Sequence, residues 1–210
     1  MQKVINLTPK GKFRKIKFID YMFPNKNLQS SEAPFRGFGG YLSSAIKRLK
    51  YYKELGDKTF VQLEEKDLHF ISAEEDNSIA IIIQHMHGNM LSRWTNFLIE
   101  DGEKEWRKRD EEFIDQYFTK EKLIKFWEEG WQCFFNALES LTEIDLVKTI
   151  FIRTEPLTVI DAITRQLAHY PYHIGQIIYV AKLLKNKTWQ TLSIPRGKSA
   201  EFNSELKNQP

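Results

Sequence analysis

Apolar residues recur at steps of three and four over four long stretches of the chain, which is the spacing of one helix face. The first stretch carries the series Leu42, Ile46, Leu49, Tyr52 and Leu55. The four periodic cores cover residues 41–66, 79–98, 120–140 and 159–184, and Gly56 is expected to interrupt the first of them. This pattern predicts an all-α protein built as a bundle of four long helices.

Small polar residues mark where helices begin. Asn77 or Ser78 can cap the second helix and Thr158 the fourth, because their side-chain oxygens accept hydrogen bonds from free backbone N–H groups. Residues 147–152, between the third and fourth helices, are β-branched and partly alternating. We expect a short extended segment there, which Pro156 closes.

Charge is distributed unevenly along the chain and suggests three regions. Residues 1–40 contain eight Lys/Arg and two acids, which gives this segment a net charge of +6. Because the whole chain carries +3, the remaining residues together carry −3. It lacks a sustained apolar period, so we predict that it is a poorly ordered N-terminal extension. The alternative for this segment is a basic arm that binds an acidic partner. The bundle is expected over residues 41–203, and a loose tail over 204–210.

Composition narrows the class of protein. The hydrophobic fraction of 41% is ordinary for a globular domain, and the single cysteine excludes an intramolecular disulfide. No apolar run approaches the roughly 18 residues of a membrane span, and the start lacks the apolar run of a secretory signal. We therefore predict a cytoplasmic protein without a membrane partner. A nucleic-acid partner is not expected, because no recognisable helix-turn-helix or RNA-binding motif is present.

Two histidines in the fourth helix have the spacing of metal ligands. His169 and His173 are four residues apart, so they share one helix face, where two imidazoles can hold one ion. His85 lies on or beside the apolar face of the second helix, and a bundle can bring such side chains together at its centre. Three neutral nitrogens would leave a coordination position open, as catalytic sites do. The alternative for His85 is a core histidine satisfied by a hydrogen bond.

The remaining histidines are not expected to bind the ion. His87 is two residues beyond His85, about 200° around the helix, so both side chains cannot face one site. His69 lies near a helix end and is expected to be exposed or capping.

Three polar residues follow the histidines at helical spacing. Asn89, Arg93 and Gln176 are candidates for orienting a bound ligand or meeting an anionic substrate group. Ordinary polar contacts between helices are the alternative for each of them. We find no strong general base, since Glu103 and Asp110 lie in charge-rich loops and are expected to be solvated.

These segments resemble a known superfamily of metalloproteins. HYPYHIGQ at 169–176 and NSIAIIIQHMHGNMLSRW at 77–94 resemble the last-helix and second-helix motifs of the DinB/YfiT-like superfamily. Three further segments are similar to one bacterial branch of this superfamily, whose function is unassigned. They are residues 41–63, the sequences DGEK and WRKRDEEF within 101–113, and LSIPRG at 192–197. The resemblance covers the bundle and none of the first forty residues.

The resemblance implies a DinB-type four-helix bundle, often a homodimer, in which His85, His169 and His173 bind nickel or zinc. Characterised relatives resemble transferases and isomerases that depend on low-molecular-weight thiols such as bacillithiol or mycothiol. The predicted function is therefore a metal-dependent enzyme acting on a small molecule, either a thiol-dependent transferase or a hydrolase. A non-catalytic metal-binding or stress-response homodimer module is the alternative, which no sequence feature excludes.

Overall fold

A computed structural model describes residues 39–207, and this part of the chain is mostly helical. The helices are α1 (Gly39–Phe60), α2 (Glu65–Leu68), α3 (Ile79–Trp94), α4 (Lys120–Glu139), α5 (Val159–Lys185) and α6 (Ser199–Lys207). Four of them are long, and each overlaps one predicted core. The predicted all-α helical bundle is therefore confirmed. Among these helices, none has the length and apolar character that a membrane crossing demands.

Contacts divide the chain into two units. Of the described residues, 39–192 form one unit, which contains α1 to α5 and every residue of the site described below, while 193–207 belong to the second unit. Within the second unit, α6 reaches Lys207, although a loose tail was predicted from residue 204. Of the extension predicted over residues 1–40, only Gly39 and Gly40 are among the described residues, and they begin α1. The rest of that prediction lies outside the part of the chain that the structure describes.

The predicted helix starts are confirmed. The hydroxyl of Ser78 accepts a hydrogen bond from Ile81 N–H at 3.2 Å, and that of Thr158 accepts one from Asp161 N–H at 3.3 Å. Each cap satisfies a backbone donor that has no partner within the helix. The first residues of α3 and α5 are thereby fixed, and these helices carry the candidate ligands.

The expected interruption at Gly56 is wrong, because α1 passes through it without a break. A Cβ atom at this position would lie 2.5 Å from Cζ2 of Trp127, so the missing side chain lets α4 approach α1 closely. The glycine serves helix packing rather than a turn. The helix ends at Phe60, earlier than the predicted residue 66.

An aromatic core joins α4 to α3 and α5. Tyr170 of α5 is fully buried, and its ring packs edge-on against Trp131 and Phe134 of α4 at centroid distances of 5.6 and 5.2 Å. Its hydroxyl accepts a hydrogen bond from Nε1 of Trp94 at 3.2 Å and donates to Oδ1 of Asn89 at 3.2 Å. This chain of hydrogen bonds aligns α5 with α3 beside the histidines.

The predicted extended segment is one half of a β-hairpin. β1 (Thr149–Ile152) pairs antiparallel with β2 (Glu155–Thr158), and Pro156 lies opposite Phe151 instead of closing the segment. A proline is tolerated there because each strand of a two-stranded sheet is an edge strand.

Candidate metal centre

Three histidines from two helices converge on one point. His85 comes from α3, and His169 and His173 come from successive turns of α5. One ring nitrogen from each lies within 4.8 Å of the others, and Nε2 of His169 is 3.0 Å from Nε2 of His173. Nitrogens around one zinc ion at about 2.1 Å stand on the order of 3.4 Å apart, so the group is compact enough to hold one ion.

The opposite nitrogen of each ring is held by an oxygen. The Nδ1 contacts are His85 to Glu112 Oε2 at 3.0 Å, His169 to Gln166 Oε1 at 3.3 Å, and His173 to Gln176 Oε1 at 2.8 Å. An oxygen at Nδ1 favours the tautomer that carries its proton there and leaves the lone pair on Nε2. Such partners fix ring orientation in metal sites.

Burial favours the neutral form of the two histidines on α5. It lowers the pKa of His169 to about 3, with a further contribution from the neighbouring His173 and His85. Burial also lowers the pKa of His173, against the opposing effect of its hydrogen bond to Gln176. Both rings are therefore unprotonated near neutral pH, which is the form that binds a metal.

Glu112 is the functional candidate that sequence analysis missed. Its side chain is only 10% exposed, and it accepts hydrogen bonds from Nε and Nη2 of Arg107 at 2.7 and 2.8 Å. Burial raises the pKa of Glu112, but the hydrogen bonds from Arg107 and His85 outweigh it and bring the pKa below its usual value. Glu112 lies in a short 3-10 helix, Arg109–Phe113, within a charge-rich segment that has no apolar period in the sequence. No local signal therefore separates it from its solvated neighbours.

Gly88 makes room for this carboxylate. A Cβ atom on Gly88 would overlap Oε1 of Glu112, which is held in place by Arg107. The loop between α3 and α4 can therefore bring Glu112 to His85 only because Gly88, which lies on the next turn of α3, has no side chain.

Two of the three predicted polar residues lie at the edge of a cavity. Asn89 and Arg93 line a cavity of about 510 Å³ together with His85 and His169. Arg93 is 5% exposed and pairs with Glu103 at 2.8 Å, so the expectation that Glu103 is freely solvated is wrong. Gln176, the third, contacts His173 as described above.

His87 and His69 lie away from the group. The ring of His87 stacks on Phe126 at 4.5 Å, and its Nε2 is 3.4 Å from a carboxylate oxygen of Glu129. His69 is the C-cap residue of α2, one of the two roles expected for it, and it is half-buried, with its Nδ1 2.8 Å from the Asp115 carboxylate. Neither residue is part of the three-histidine group found among the described residues.

Comparison with known families gives one match over most of the chain. A family model described as "Protein of unknown function (DUF1572)" matches residues 38–198, a span that holds the three histidines and Glu112. No curated protein matches the chain.

Proposed function

The chain belongs to the DUF1572 family, and from that premise we propose that His85, His169 and His173 bind one divalent metal ion that serves a reaction of a small molecule. The observation that carries this proposal is the arrangement of the rings. Three nitrogens meet within 4.8 Å, and an oxygen holds the far side of each ring. A chance group of histidines would not need three such partners.

The donor set fits a catalytic ion better than a structural one. Within residues 39–207, the group includes no fourth His, Cys, Asp or Glu. Structural zinc sites have four protein ligands, whereas catalytic sites have three and an open position. Imidazole donors suit zinc and nickel, and these are the metals we propose.

An ion held there supplies two positive charges, which lower the pKa of a bound thiol or water and favour its anion. Side chains of the protein orient the ligands of this ion. Glu112 holds the His85 ring through Nδ1, and Gln176 does the same for His173. The cavity beside His85 and His169 gives a small molecule access to the site. On this basis we propose a thiol-dependent transferase, with a hydrolase as the related reaction class.

Membership of the DinB/YfiT-like superfamily, a cytoplasmic location and a homodimer are further parts of the proposal. The superfamily membership is supported by the helical bundle, by the motifs at 77–94 and 169–176, and by the family match. The cytoplasmic location rests on the sequence prediction, and the homodimer rests on the resemblance alone.

The test has two stages on the full-length protein. Metal content after purification should approach one ion per chain, and His173→Ala should lose it while the control His87→Ala retains it. The Co²⁺-loaded protein should then change its visible and near-ultraviolet absorption on addition of a low-molecular-weight thiol. Transfer of that thiol to a small electrophile should depend on the metal.

Three results would decide between the hypotheses. Absence of metal from the wild-type protein would refute the proposal. Bound metal with neither thiol binding nor turnover would favour the non-catalytic metal-binding module. Turnover that survives in His173→Ala would show that the chemistry lies elsewhere.

A further inference from the structure

The cavity beside the histidines has an unusual set of charges. Five arginines line it, and no carboxylate does: Arg93, Arg107, Arg109, Arg153 and Arg165. They come from α3, from the loop between α3 and α4, from the hairpin turn, and from α5. The chain thus brings one type of side chain to one cavity from four separate segments.

Neighbouring carboxylates neutralise only part of this charge. Arg93 and Arg153 share Glu103, at 2.8 and 2.9 Å. Arg107 holds Glu112, which also contacts His85. Asp101 also lies within electrostatic reach of Arg93, and its carboxylate accepts a hydrogen bond from the backbone N–H of Arg153. These three arginines are thus matched by three carboxylates.

The last two arginines supply the positive excess, because only one exposed carboxylate among the described residues pairs with them. Arg109 lies over the ring of Phe113 at 4.8 Å, and its nearest carboxylate, at 3.7 Å, belongs to the fully exposed Asp110. Arg165 is exposed on α5 and forms no ion pair with any residue in the described part of the chain. The cavity is therefore positive before any metal ion is added.

Arg107 also has an unused donor. Its side chain is 2% exposed, and its Nε and Nη2 groups donate to Glu112. Its Nη1 group is buried without a hydrogen-bond partner within residues 39–207. Leaving a buried donor unpaired is unfavourable, and for a charged group the cost is larger. The missing partner of Nη1 is an acceptor that the folded chain does not provide.

We propose that this cavity binds an oxyanion group, a carboxylate or a phosphate, of the small molecule on which the protein acts. The inference names the substrate class of the proposed reaction and in that sense rests on the proposed function. Guanidinium groups bind such anions through paired N–H donors, and the positive excess attracts them. His85 and His169 line the same cavity, so the bound molecule would lie next to the ion. The cavity volume of about 510 Å³ suits a small molecule.

Binding of simple anions tests the inference directly. Succinate and inorganic phosphate are titrated separately into the wild-type protein, metal-loaded and after chelation, by calorimetry at low salt. At least one should bind in both forms, and added salt should weaken binding because it screens the charges. The stronger of the two identifies carboxylate or phosphate as the preferred group.

Three variants locate the anion. Arg165→Gln removes a cavity charge that has no role in an ion pair, and we expect Kd to rise about tenfold, as for one lost charge-assisted hydrogen bond. Arg107→Lys keeps the charge but cannot serve Glu112 and the anion together, so it should weaken binding as well. Arg48→Gln on α1 is the matched control: it removes an exposed arginine that does not line the cavity and should leave Kd unchanged.

The outcomes separate this inference from the proposed function. No binding of either anion at millimolar concentration, or equal binding by all variants, would overturn the inference even if the metal is present. Anion binding that requires the metal and ignores the arginines would overturn it too, because the anion would then be a metal ligand. Arginine-dependent anion binding in a protein that takes up no metal would support the inference while the proposed function fails.

Discussion

Oε2 of Glu112 lies 3.0 Å from Nδ1 of His85, although 27 positions separate the two residues in the chain. This contact gives the loop between α3 and α4 control over one of the three candidate ligands. The same carboxylate is gripped by both Nε and Nη2 of Arg107. The orientation of the His85 ring therefore depends on a loop ion pair as well as on α3.

Glu112→Gln should weaken metal binding about 10- to 100-fold, the usual effect of losing a hydrogen-bond partner of a ligating histidine. The amide has nearly the same shape, so the fold should persist, but Arg107 then lacks its counter-charge. Competition with a chelator measures the affinity. Asp110→Asn is the matched control, because Asp110 is in the same loop and fully exposed. Equal affinities for the two variants would contradict a role for Glu112.

Each of the variants His85→Ala, His169→Ala and His173→Ala should bind only a small fraction of the wild-type amount of metal, since each change removes one of three protein donors. His87→Ala should retain it, because the His87 ring stacks on Phe126 away from the group. Metal content of the four variants, measured at a pH about one unit above the reference histidine pKa of about 6.5, checks the assignment. If His87→Ala loses the metal and His85→Ala retains it, then His87 and not His85 is the ligand on α3.

Tyr170→Phe should destabilise the protein by about 1–3 kcal/mol, because it leaves the Trp94 N–H and the Asn89 carbonyl without their buried partner. Urea unfolding of the metal-free forms measures the change. The control is Tyr179→Phe on the same helix, where the side chain is 71% exposed and the effect should stay within about 0.5 kcal/mol. A Tyr170→Phe protein as stable as this control would show that the hydrogen-bond chain contributes nothing.

The metal-free protein should lose stability as the pH falls below about 6.5. The pKa of His169 is lowered to about 3 in the folded state, so between these values the unfolded chain takes up a proton that the folded chain does not. Above the unfolded pKa both states are neutral, and this residue makes no contribution to the pH dependence. Chemical unfolding at pH 7.5 and pH 5.0 tests the direction.

His169→Gln removes the titrating group and should make the free energy of unfolding change less between these two pH values. A difference as large as that of the wild-type protein would assign the pH dependence to other groups.

The sequence predicted the helices and the three histidines because both depend on local periodicity. Apolar spacing placed α3 and α5, and a separation of four residues placed His169 and His173 on one face of α5. The contributions of Glu112 and Arg107 could not be predicted in this way, since a loop has no period that shows where its side chains point. Gly56 was misread for a related reason: its role depends on Trp127, a residue distant in sequence. The features that could not be predicted from the sequence are therefore contacts between elements that lie far apart along the chain.

The two helices that supply the histidines are far apart along the chain, with roughly 84 residues between His85 and His169. An ion bound to both would join them as a reversible cross-link that encloses all of α4. In a pulling experiment with handles on the two chain ends, the enclosed length would stay hidden until a metal–nitrogen bond breaks. At about 3.5 Å per extended residue, a chelator should release roughly 290 Å of additional contour length.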